Sequence, residues 1–148
     1  MHLTTLGALR RLAAVTVQAL TATSATVSAA ASVGGNLTVS GYSLASVGNG
    51  LTAAGTDRAT GLQLSKQVNN ITTAAASTGV VLPVGVIGMR ITIFNAGASV
   101  MKVYASGSET IDGTAGATGV SLTNANRCEY FFTAANVWIS AKLGAVSS

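Results

Sequence analysis

Between Val80 and Gly113 the chain is cut into short runs by residues that favour turns. Val80-Val81-Leu82 stops at Pro83, the single proline, Met89 to Asn95 alternates before Ala96-Gly97, and Val103-Tyr104-Ala105 leads on to Asp112-Gly113. Successive side chains of a strand leave opposite faces, whereas a helix repeats its apolar residues at three and four. Met89, Ile91 and Ile93 share one parity and Arg90, Thr92 and Phe94 the other, and Met101 and Val103 oppose Lys102 and Tyr104 in the same sense. The stretch is therefore confined to short strands, each with one buried face. Pro83 cannot donate to a ladder, so it marks a strand end or an edge.

The same pattern places strands near residues 61–65, 68–72, 80–82, 89–95, 100–105, 119–123, 128–133 and 137–143. Asn49-Gly50, Asn95-Ala-Gly-Ala98 with a positive φ at Gly97, and Asp112-Gly113 read as tight hairpin turns. Many short strands with no helical run predict an all-β fold, an antiparallel β-sandwich or jelly roll. Charged residues are 8% of the chain, where about 25% is usual. Aromatics are 5%, so small side chains offer flat surfaces for strand stacking, and much of the outer surface is expected to lie against other subunits.

Residues 1–56 differ from the rest in being rich in Ala, Thr, Ser and Gly. The expected organisation is an extended N-terminal arm with short strands over 1–56 and a jelly-roll-like β domain over 57–148. Within the arm, Leu3, Leu6, Leu9 and Leu12 fit one short helix, and Asn36-Leu-Thr-Val-Ser40 alternates as a strand. Arg10-Arg11 followed by an apolar run has the outline of a secretory signal, but Gln18 and several threonines dilute it. No apolar run approaches the ~20 residues of a spanning helix, so no membrane partner is expected.

Chemistry finds few candidates. His2 is the only histidine and Cys128 the only cysteine, which leaves a nucleophile–histidine pair to be built from a chain end and makes an intrachain disulfide impossible. Cys128 reads as a small buried hydrophobe, in keeping with assembly in a reducing cytoplasm. Ser99-Val-Met-Lys102 matches Ser-x-x-Lys, but in a strand those side chains face opposite ways. Glu109 and Asp112 lack the spacing of a calcium loop and read as a solvated turn. Gly48-Asn-Gly50 and Gly85-Val-Ile-Gly88 lack the lysine of a phosphate loop. The formal charge of +4 comes from eight basic residues against four acidic ones, scattered apart from Arg10-Arg11, which argues against direct nucleic-acid binding. The expectation is no enzyme, no cofactor and no metal. Asp57 beside Arg58 reads as a local ion pair or an interface contact, and Trp138, between Val137 and Ile139, as facing away from the core or filling a subunit contact. With Arg10 and Arg11, these three make up the expected interface residues.

Thr78-Gly-Val-Val-Leu-Pro83, the strand ending in Asn95-Ala-Gly97, Val103-Tyr-Ala-Ser-Gly107 with Ile111-Asp-Gly113, and Phe131-Phe-Thr-Ala-Ala-Asn-Val-Trp138 together resemble the β-rich module of tailed-bacteriophage virion proteins, which include capsid decoration (cement) proteins. The likeness covers roughly residues 50 to 143. Asn36-Leu-Thr-Val-Ser-Gly41 resembles the short repeats of phage fibres and spikes. The resemblance implies a homotrimer on the capsid exterior, assembled in the bacterial host cytoplasm, with the phage major capsid protein as partner and the arm lying along the shell or exchanging between subunits. A tail or head fibre component involved in host attachment is the alternative, and a lectin-like binding module is a third reading that shares the sandwich.

Overall fold

The computed structural model describes residues 34–145. The chain divides between Gly41 and Tyr42. Of the first unit, residues 34–41 are described; they are exposed and contain no strand, so the strand expected over Asn36 to Ser40 is not formed there. Arg10, Arg11 and the leucines at 3, 6, 9 and 12 lie outside the described residues.

The second unit holds eleven strands and, among the described residues, no helix: β1 (Val47–Thr52), β2 (Leu62–Gln63), β3 (Val68–Thr73), β4 (Gly79–Val81), β5 (Arg90–Asn95), β6 (Met101–Tyr104), β7 (Thr110–Ile111), β8 (Thr114–Ala115), β9 (Val120–Leu122), β10 (Asn126–Ala134) and β11 (Val137–Ala145). The fold is all-β. The strands form a seven-stranded sheet in the order β1-β3-β5-β10-β11-β7-β8 and a four-stranded sheet in the order β2-β4-β6-β9.

Pairing within these sheets departs from the antiparallel expectation. β1, β3 and β5 are successive parallel neighbours in the larger sheet, and β2, β4 and β6 in the smaller one. The chain thus crosses from sheet to sheet at each strand and lays one coil on the last, as a β-solenoid does. Val47 stands beside Val68 and Val68 beside Thr92 in one sheet, while Leu62 stands beside Val80 and Val80 beside Val103 in the other. Parallel neighbours need a long crossover, and here the strand in the opposite sheet is that crossover. The stack is then closed by antiparallel strands: β9 on β6, β10 on β5, and β11 on β10. The β7–β8 hairpin joins the far side of β11, with β7 running parallel to it.

Turn residues explain where the hairpin expectations hold and where they fail. Asp112 and Gly113 have φ of 49° and 78° and form the two-residue turn between β7 and β8, as a type I′ turn requires. Gly50 also has positive φ, at 69°, but it sits in a register shift of β1 beside β3 and accommodates a bulge rather than a hairpin. The segment after β5 does not turn back either, because β5 and β6 belong to different sheets. Gly97 has no positive φ and is small for another reason: a Cβ there would lie 2.4 Å from the backbone nitrogen of Ala74. Pro83 follows β4, which lies between β2 and β6, so it marks a strand end and not a sheet edge.

Both sheets contribute to one core. Ile71 of β3, Ile91 and Ile93 of β5, and Cys128, Tyr130 and Phe132 of β10 pack with Val80 of β4, Met101 and Val103 of β6, and Leu122 of β9. Each fully buried aliphatic side chain in such a core stabilises by roughly 1.5–3 kcal/mol. β1 and its neighbour Ala53 belong to this assembly, so the folded unit starts before the boundary expected at residue 57.

Candidate functional site

Among the residues flagged from the sequence, Trp138 moves furthest from its expected place. It is 0% exposed and belongs to the core, while its neighbour Ile139 is 47% exposed. The strand has apolar residues of both parities, so alternation did not say which face was inner. The indole decides it by packing edge-on against Phe132, with ring centroids 5.1 Å apart, and by finding a buried acceptor for its N–H.

That acceptor is Glu109, itself only 5% exposed rather than part of a solvated turn. Trp138 Nε1 donates to Glu109 Oε2 at 2.8 Å, and the backbone N–H of Gly85 donates to Glu109 Oε1 at 2.7 Å. A buried carboxylate is tolerated when its oxygens are hydrogen-bonded. Asp112 does not join it. Asp112 accepts from the backbone N–H of Ser140 at 2.8 Å and from its hydroxyl at 2.5 Å. Among the described residues no three His, Cys, Asp or Glu side chains gather as metal ligands would.

Glu109 thus ties the core to the connector between β4 and β5, residues 82–89. Gly85 lies so close to Phe132 that a Cβ would sit 2.1 Å from its ring. Gly88 N–H donates to Phe132 C=O at 2.9 Å, and Phe132 N–H donates to Met89 C=O at 3.0 Å. Met89 N–H closes a turn onto Val86 C=O at 2.8 Å. With these points fixed, three aliphatic side chains of the connector face solvent: Val84 at 71%, Val86 at 64% and Ile87 at 69% exposure.

Beside the connector runs an open groove of about 520 Å³, lined by Ser65, Lys66 and Gln67 on one side and by Pro83, Val86 and Met89 to Ile91 on the other. Its two walls are the β2–β3 and β4–β5 connectors, which occupy equivalent corners of successive coils. Arg90 is steadied at the rim, its guanidinium 4.9 Å from the centroid of the Phe131 ring and 4.0 Å from Glu129 Oε1. Among the described residues, Lys66 has no carboxylate within ion-pair distance.

Asp57 and Arg58 do not form the expected ion pair. Asp57 Oδ1 accepts from the Thr60 hydroxyl at 2.7 Å and from the Thr60 backbone N–H at 2.9 Å, an Asx turn closed by Gly61 N–H on Asp57 C=O at 2.9 Å. These bonds hold its carboxyl below the usual 3.8. The Arg58 guanidinium donates instead to the carbonyl of Gly107. Cys128 is buried as expected, and burial pushes its thiol above the usual 9.0.

In sequence Glu109 reads as part of a solvated turn and Gly85-Val-Ile-Gly88 only as a stretch without a phosphate loop's lysine, so the link between this carboxylate and residues 84–87 does not show there. One signal was present: Val84, Val86 and Ile87 follow a proline and are interrupted only by Gly85, so an apolar run continues where a strand must stop. No protein-family model matches the chain, and comparison with curated proteins and with solved structures gives no match.

Proposed function

We propose that the protein is a structural component of a tailed-bacteriophage particle that works by contact, decorating the outside of the head as a homotrimer and bridging neighbouring major capsid protein subunits. The sequence resemblance supplies the family, and one structural observation supports a contact role. Glu109 and the backbone of Phe132 hold the connector so that Val84, Val86 and Ile87 stand in solvent, while Leu82 and Met89 at its ends pack with the core. An exposed apolar patch with polar surroundings marks an interaction surface. On this reading the two sheets act as a sandwich-like module whose broad faces carry subunit contacts. A bound trimer adds buried area to the shell, and anything that binds the assembled form alone stabilises it against rupture.

A fibre or spike location is the second reading, favoured by the coil-on-coil stacking of β1 to β6, whose edge strands β1 and β2 lie at one end of their sheets. Imaging of particles bearing labelled protein separates the two. A decoration protein labels the whole shell in many copies, whereas a fibre component labels discrete appendages.

A further inference from the structure

We propose that the groove between residues 64–67 and 82–89 is the docking surface, and that it receives an acidic segment of a partner protein carrying aliphatic or aromatic anchors. This deepens the contact role above by naming the surface and the chemistry it recognises.

Three observations carry the inference. First, the groove offers apolar wall and positive charge together. Val86 and Met89 line it, Val84 and Ile87 flank it on the same connector, and Lys66 and Arg90 stand on its two walls. Charge complementarity across such a surface steers and selects the partner. Second, the surface is preorganised. The connector is pinned through Gly85 to Glu109 and through Gly88 and Met89 to Phe132, so docking does not require the loop to be ordered at that moment. Third, charge argues against a second copy of this chain as the occupant. The chain has four acidic residues. Asp57 is bound to Thr60, Asp112 to Ser140, Glu109 is buried against Trp138, and Glu129 lies beside Arg90. None stands on an apolar segment free to enter a basic groove, so a homotypic contact here would leave Lys66 without a counter-charge.

The geometry also favours a protein segment over a lipid surface. Binding to anionic lipid uses clusters of about four to eight basic residues on a face that meets a plane. Here Lys66, and Arg90 beside Glu129, flank a concavity between corners of the stack. An extended or turn-containing segment fits that shape, its apolar residues against Val86 and Met89 and its carboxylates reaching Lys66 and Arg90.

Selection of a random-peptide display library on the immobilised full chain tests the proposal. The expected consensus combines Asp or Glu with Leu, Ile or Phe. Peptides carrying it should bind about tenfold more weakly to Lys66→Glu, lose most of their binding to Val86→Asp, a variant of the groove lining, and bind normally to Ile139→Thr, an exposed site outside that lining. Methyl NMR signals of Val84, Val86 and Ile87 should shift on adding a selected peptide. A basic or charge-neutral consensus, or binding indifferent to Lys66→Glu and Val86→Asp, overturns the inference. So does binding to phosphatidylglycerol vesicles that is lost in those variants while acidic peptides fail to bind. Because the readout is peptide recognition, its failure leaves the particle assignment standing, to be judged by imaging.

Discussion

Glu109 is difficult to replace, because each of its oxygens accepts an N–H: one from an indole and one from the backbone of a connector. Glu109→Gln keeps the shape but turns an amide NH2 toward one of two buried donors. The expected cost is about 2 kcal/mol or more in urea unfolding, with faster amide exchange at Gly85; unchanged stability and exchange would remove Glu109 as the anchor. Gly85→Ala probes the same contact from the other side, since its Cβ would enter the Phe132 ring. It should displace the connector and lower stability by about 1–3 kcal/mol. Titration gives two further expectations. Asp57 is held below 3.8 by its bonds to Thr60, so whatever it contributes to stability is present above that value and lost as pH falls through its lower folded value. Thr60→Ala should bring its NMR titration midpoint back toward 3.8. At the alkaline end, burial raises Cys128 above 9.0 and Tyr130 well above 10.0. Their contribution is full below those values and falls as pH rises through the raised folded ones, so the urea midpoint should decline as pH rises past 9.0 and on beyond 10.0. Cys128→Ala should remove the earlier part of that decline.

At the scale of strands, stability follows position in the sheets. β5 and β10 have neighbours on both sides, whereas β1 is an edge and β8 is a short one. Interior amides of β5 and β10 should therefore exchange slowest in native-state hydrogen exchange, and those on the free side of β1 fastest; protection at β1 equal to that at β10 would mean its edge is covered. Tyr104 organises the outer face of the smaller sheet. A Cβ at Gly79 or Gly119 would meet its ring at 2.6 Å and 2.7 Å, and its hydroxyl donates to Thr56 C=O at 2.9 Å. Gly79→Ala is expected to destabilise by about 1–3 kcal/mol, because the same Cβ also meets the carbonyl oxygen of Lys102 at 2.8 Å.

Much at this scale was legible in advance. The eight strands read from alternation between residues 61 and 143 form, the one expected over Asn36 to Ser40 does not, and Asp112-Gly113 makes the expected turn. β1 went unread because Gly48 and Gly50 interrupt it, and β7 and β8 because two residues cannot display a period. Parallel pairing was not legible at all. Alternation records which face of a strand is buried, while the partner of Val47 is Val68, a whole coil away. The connector of residues 82–89 was only half legible: Pro83 marks the end of the strand, but nothing in the sequence says whether the apolar residues after it turn into the core, as Met89 does, or out to solvent, as Val84, Val86 and Ile87 do.

For the whole molecule, the governing fact is scarcity of charge. With 8% charged residues and each of the four acidic side chains engaged by a neighbour in the fold, the surface has little charge with which to repel a neighbour. On the proposed reading the chain acts by where it docks. Sedimentation of the full chain is expected to give a trimer. Cryo-electron microscopy of intact particles against particles lacking the protein bears on the central claim most directly. Trimeric density repeated over the outside of the head, with the connector of residues 82–89 turned toward the shell, is the expected result. Identical heads in the two samples would contradict the decoration role, and difference density confined to the tail or to fibres would transfer the protein to the second reading.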